Sequence, residues 1–196
     1  DLSSQAMRVA HHHLEAGQLA QAGDCFSLAG SVAISAGSVN EGEQLLSRAI
    51  ALQTQTGRPP ILRLRTYRQL ALVRFTLGKN QGADTAIQHA FALAGIRWPH
   101  GVGARTIDTV ARFVEQTLRQ SRHLKATVQH AEEKELYSEL LKILPATEVY
   151  LALAQPASAM FCWVHCLRIA ETVDDVMAHL QAASFVAYAF SSVGLH

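Results

Sequence analysis

The sequence predicts an all-α protein, an irregular superhelix (solenoid) of about ten helices. Three observations predict it. Apolar residues make up 49% of the 196, yet aromatics only 7%, so the core must be built from Ala, Leu, Val and Ile. Such small residues favour closely packed helices over a sandwich of large strands. No stretch alternates apolar and polar residues with period two. A pattern of small, aromatic and small residues also recurs behind glycines.

In the first half, Ala22, Phe26 and Ala29 fit A-x3-F-x2-A shortly after Gly17. The pattern returns weakly after Gly37, as Gly42, Leu46 and Ala49, and after Gly78, as Ala83, Ile87 and Ala90. Near the end Ala159, Trp163 and Cys166 fit it again, with Ala154 where the glycine would stand. The spacing from Gly17 to Gly37 is 20 residues and from Gly37 to Gly78 is 41, so the repeat is irregular. A small residue lets two helix backbones approach, and the aromatic one turn later fills the space beside it. A glycine ends a helix because it accepts the left-handed conformation cheaply.

Helices are predicted near 3–16, 19–36, 39–55, 60–77, 81–95, 103–122, 127–143, 146–154, 156–172 and 174–193. Pro60 and Pro156 suit first-turn positions. Asn40, Asn80 and Asp174 stand near helix starts, where a side-chain oxygen can accept from free amides. "GRPP" (57–60) and "GIRWPHGVG" (95–103) read as loops. One helical-repeat domain over 1–196 is expected, with a first block at 1–95 and a second at 103–196. The chain begins at Asp1, and its final apolar stretch has no helix stop beyond Gly194. It therefore reads as a piece of a longer protein. In the last helix Val176, Leu180, Ala183, Ala187 and Phe190 form a stripe expected to pack back onto 156–172. Phe185 and Tyr188 lie off that stripe, on a face expected to be open to self-association.

The formal net charge of +1 gives no case for a nucleic-acid surface. Apolar runs fall short of the roughly 20 residues a membrane span needs. Three cysteines, Cys25, Cys162 and Cys166, suit a reducing, cytoplasmic setting.

Four clusters could carry chemistry. His11, His12 and His13 are consecutive, so on a helix they point about 100 degrees apart and cannot converge on one ion. Cys162 and Cys166 are spaced i, i+4 beside His165, and could bind a metal with ligands from elsewhere. Packing is the favoured reading, because Cys166 falls where the repeat wants a small residue. Arg105, Arg112 and Arg119 recur every seven residues on one helix stripe. Arg58, Arg63, Arg65, Arg68 and Arg74 form a further basic run. A solvated face, or pairing with the acidic "EEKE" (132–135), accounts for them. An acidic partner is the alternative. The phosphate-cradling loop G-x4-G-K-[ST] and the nucleophile elbow G-x-S-x-G are missing. The expectation is no catalytic residue, no metal and no cofactor.

The A-x3-F-x2-A spacing resembles tetratricopeptide repeats. More specifically, "AHHHLEAG", "RAIALQTQTG", "ALAGIRWP" and "CLRIAET" resemble the C-terminal helical region of bacterial signalling proteins. Those join an adenylate/guanylate cyclase domain, or another effector, to a STAND-type AAA-like ATPase. Ala10, His12 and Gly17 match an A-x-H-x4-G opening. Ala92–Gly95 with Pro99 match a later junction, and Leu167–Glu171 match an "LNLAE"-like helix. Gln155-Pro156 at the last turn and the lack of aromatics after Gly37 depart from the pattern. The resemblance implies a non-catalytic docking or sensor arm that binds a protein, a peptide or a neighbouring domain of its own chain. Two readings stand beside it: the helical arm of an ATPase-type transcription regulator, and an enzymatic or metal-binding fragment using the histidines and cysteines.

Overall fold

The computed structural model describes residues 2–121, 130–148 and 155–192. Every regular element among them is a helix: α1 (Leu2–Glu15), α2 (Leu19–Ser35), α3 (Val39–Gln55), α4 (Pro60–Thr76), α5 (Asn80–Leu93), α6 (Val102–Ser121), α7 (Ala131–Leu141), α8 (Leu144–Thr147), α9 (Pro156–Val173) and α10 (Val176–Ser192). The chain divides into two compact units, residues 1–93 and 94–196. None of the described helices is long and apolar enough to cross a membrane.

In the first unit each helix packs chiefly against the next, α1 on α2, α2 on α3, α3 on α4 and α4 on α5. The turns between them are copies of one another. Gly17, Gly37, Gly57 and Gly78 all have positive φ. In each turn the glycine amide donates to the carbonyl three residues back, and the next amide donates to the carbonyl five back. Gly37 N–H thus reaches Ile34 O at 2.9 Å, and Ser38 N–H reaches Ala33 O at 2.9 Å. This satisfies the last carbonyls of each helix and turns the chain sharply. The close approach of α2 and α3 rests on two further glycines. A Cβ on Gly42 would lie 2.5 Å from Ile34 Cγ1, and one on Gly30 would lie 2.9 Å from Leu46 Cγ.

Phe26 is fully buried between Ala22 and Ala29, with Ala10, Ala33 and Ala49 in the same cluster. A polar seam ties α2, α3 and α4. The Thr66 hydroxyl donates to Gln53 Oε1 at 3.0 Å, Ser27 Oγ lies 3.1 Å from Thr66 Oγ1, and Gln53 Nε2 donates to Asp24 Oδ1 at 3.4 Å. Asp24 also pairs with Arg58. Glu43 takes Arg74 Nε at 2.9 Å and Lys79 Nζ at 3.1 Å. Burial alone would raise the Glu43 carboxyl, but these two cations outweigh it and hold the carboxyl below its usual range.

The second unit is built around α9, which packs against α6, α7, α8 and α10. Its buried residues, among them Ala159, Phe161, Cys162, Trp163, Val164, Cys166 and Ile169, lie on all sides of the helix. That is what a helix surrounded by neighbours requires. Trp163 satisfies its indole N–H on Thr147 Oγ1 at 2.9 Å, and its ring lies 5.1 Å from that of Phe185.

Several expectations change here. The helix expected at 127–143 ends at Leu141, and a four-residue helix begins at Leu144 with Pro145 in its first turn. Residues 127–129, and 149–154 of the next expected helix, lie outside the described residues. Asp174 does not cap a helix start. It ends α9 in the left-handed conformation, at φ 62°. Asp175 caps α10 instead, its Oδ1 accepting from Ala178 N–H at 3.0 Å. Asn40 and Asn80 lie inside the first turns of α3 and α5, and Ser38 at the α3 N-cap makes no side-chain cap bond. The packing face of α10 is also rotated. Ala178, Ala182 and Val186 are buried, with Phe185 against Trp163, whereas Val176 and Leu180 are 65% and 58% exposed. Alanine on both faces made the stripe ambiguous by sequence. The Phe190 side chain lies outside the described set.

Candidate functional site

In the second unit, α6 and α7 both lean on α9 and leave an open groove of about 850 Å³ between them. The floor is a helical row from α9: His165, Arg168, Ile169 and Thr172. Their spacing of i, i+3, i+4 and i+7 places all four on one face. One wall is α6, through Ile107, Asp108 and Arg112, and the other is α7, through Glu133 and Tyr137. The loop at Gly95–Pro99 closes one end, with Ile96 and Arg97 among its lining residues.

His165 is nearly buried, its side chain 11% exposed. Its Nε2 lies 3.2 Å from Asp108 Oδ2. The carboxylate only accepts, so Nε2 carries the proton and donates. Burial pushes the imidazole below its ordinary value, and Arg112 and Arg168 push the same way; Asp108 opposes them. The ring is therefore neutral near pH 7, and Nδ1 keeps its lone pair. Phe161 lies tilted against the imidazole, ring centres 4.4 Å apart, and Trp98 meets Phe161 at 4.8 Å. Glu115 accepts from Arg112 at 3.3 Å and from Arg168 at 3.2 Å, and forms an ion pair with Arg119 at 3.7 Å. Tyr137 donates its hydroxyl to Glu133; burial first and this bond second raise the phenol.

The structure places the sequence-derived repeat positions as follows. Ala22, Phe26, Ala29, Ala49, Ala83, Ala90, Ala159, Trp163 and Cys166 are all fully buried, while Gly17, Gly37 and Gly78 occupy the left-handed turns. The first four meet in one cluster with Ala10. Ala159, Trp163 and Cys166 belong to the surrounded helix α9.

Comparison with protein-family models, curated proteins and solved structures finds no match.

The histidine triplet sends its rings to three different places. His11 sits perpendicular to the Phe26 ring at 5.5 Å, His12 faces Glu15 at 3.9 Å in solvent, and His13 bonds Gln18 at 2.6 Å. Cys162 and Cys166 are buried and outside any disulfide, and burial pushes the Cys166 thiol up to about 12, so it stays protonated. Among the described residues no three His, Cys, Asp or Glu side chains gather as metal ligands.

The arginine stripe finds its partners mainly on its own helix and on α9. Arg112 pairs with Asp108 and Glu115, and Arg119 with Glu115. Arg105 donates to Ser158 and lies over the Trp98 ring. Spacings of three and four residues bring Asp108 and Glu115 within reach. Sequence reasoning missed Asp108, Glu115, Tyr137 and Arg168 as members of one site. The available signal was the 3-4-3-4 spacing of charges at 105, 108, 112, 115 and 119.

Turning these charges toward α9 leaves the opposite face of α6 outward. Thr109 and Gln116 are buried, whereas Ile107, Val110, Val114 and Leu118 are between 50% and 72% exposed. The helix is amphipathic but packs by its polar side.

Proposed function

We propose that this chain is a non-catalytic protein-binding module, the helical docking or sensor arm of a multidomain signalling ATPase or cyclase. We further infer that its hairpins belong to a tetratricopeptide-like superhelix. The repeated glycine turns of the first unit support the second inference, because identical turns generate a regular stack. The observation that carries the first is the outward stripe of α6. A row of large apolar residues at i, i+3, i+7 and i+11, without a charge among them, is the signature of a helix-binding face. The motif resemblance supplies the kind of parent protein.

The test is affinity capture by the full chain and by a Val110→Ser/Val114→Ser variant. A partner held stoichiometrically by the parent and lost by the variant, whose helicity is unchanged, supports the reading. Equal capture by both, or none by either, defeats it. Val176, Met177, Leu180 and Tyr188 are likewise exposed on α10 and favour it as the surface for self-association. Light scattering that shows a concentration-independent monomer, unchanged by Leu180→Ser, would exclude that role.

A further inference from the structure

We propose that the groove between α6 and α7 binds a small organic acid, a carboxylate carried on an aromatic or branched apolar body. A volume of about 850 Å³ lies within the range of small-molecule sites. Ile96, Ile107 and Ile169 give it apolar wall and floor, and a ligand body would cover the outward side of Ile107.

The polar groups decide the charge of the ligand. The groove's carboxylates are already engaged, Asp108 by His165 and Arg112, and Glu133 by Tyr137. An incoming cation would have to displace one of these bonds. It would do so beside Arg97, Arg112 and Arg168, which all line the groove. The guanidiniums, by contrast, are under-used. Arg112 is divided between Asp108 and Glu115, Arg119 and Arg168 lean on that same Glu115 carboxylate, and among the described residues Arg168 keeps further N–H donors beyond the one it spends there. A planar carboxylate matches the fork of such a guanidinium, with two parallel charge-assisted hydrogen bonds. His165 adds one acceptor, since its proton is committed to Asp108 and its Nδ1 is left with a lone pair. A hydroxyl or amide N–H next to the ligand's carboxylate would find it. The site does not need a partner on the α6 stripe, of which only Ile107 lines the groove.

The probe is 2-naphthylacetate, compared with its uncharged amide, each titrated calorimetrically into the full chain. The acid should bind saturably at millimolar concentration or below, at least about tenfold tighter than the amide, and more weakly as salt is raised. Arg168→Gln should lose about the same tenfold. Exposed Arg97→Gln should weaken binding several-fold with an unchanged circular dichroism spectrum. Arg8→Gln, in the other unit, should bind like the parent. The proposal is overturned if the acid shows no saturable binding at millimolar concentration, or if acid and amide bind alike. It is equally overturned if Arg168→Gln and Arg97→Gln both retain the parent affinity.

Discussion

Single residues decide how closely the helices of the first unit approach. Phe26 is fully buried, with the His11 ring perpendicular to it at 5.5 Å and the Arg48 guanidinium 4.5 Å from its ring centre. Phe26→Ala should cost about 3–5 kcal/mol in urea unfolding, as large buried truncations do. A loss below about 1 kcal/mol would mean that the site collapses or was never packed. Phe26 was legible in the sequence, as the lone aromatic between alanines at helical spacing. Gly42 was legible only as a small residue. Its contact with Ile34 on another helix cannot be read from one strand of text. Gly42→Ala should push α2 and α3 apart and cost about 1–3 kcal/mol. Gly103, near the start of α6, has open space where a Cβ would stand. Gly103→Ala should therefore be neutral or stabilise by about 0.5–1 kcal/mol. If both substitutions shift the unfolding midpoint in the same direction, close approach is not what selects glycine at position 42.

At the scale of elements, helix positions were largely readable and helix rotations were not. Apolar periodicity and glycine stops located α1 to α5 within a few residues. Rotation failed where both faces carry similar residues, as in alanine-rich α10, and where a helix packs by its polar side, as in α6. The α6–α9 seam that results should respond to pH. His165 faces Asp108 and Arg112 of α6, Arg168 of its own helix, and the Glu133–Tyr137 pair across the groove. Its folded value lies below the ordinary 6.5. Between the two values the unfolded chain binds a proton that the folded chain does not, so stability falls as pH falls through that window. Denaturant unfolding of the second unit should thus be weaker at pH 5.5 than at pH 7.5. His165→Gln should flatten the difference. Unchanged pH dependence in that variant would assign the effect to other groups. Glu43 acts in the first unit at lower pH. Its depressed carboxyl stabilises above the ordinary 4.5 and loses that contribution as pH falls through its folded value.

At the scale of the molecule, the two units are wired differently, and the wiring sets how each should unfold. The first is serial: each helix leans mainly on its sequence neighbours, and α2 meets α4 only lightly. What the sequence shows there is the series of helix stops, because the turns at Gly17, Gly37, Gly57 and Gly78 each use a glycine of positive φ. The second is radial, with α6, α7, α8 and α10 all resting on α9. Ala159, Trp163 and Cys166 keep the repeat spacing, but they serve a helix covered on several sides, a role that spacing alone does not encode. In a serial stack, stability is close to a sum of nearest-neighbour terms, so a local lesson stays local. In a radial one, losing the hub exposes every other helix together. Native-state hydrogen exchange reads this helix by helix. Phe26→Ala should speed exchange in α1, α2 and α3 and leave α5 close to its parental rate. A conservative lesion in the hub, Trp163→Phe, removes the bond to Thr147 and should speed exchange in α6, α7, α9 and α10 by similar factors. A graded response to the hub substitution that spares α6, or an equal response of α1 and α5 to Phe26→Ala, would show that contact topology does not govern cooperativity in this protein.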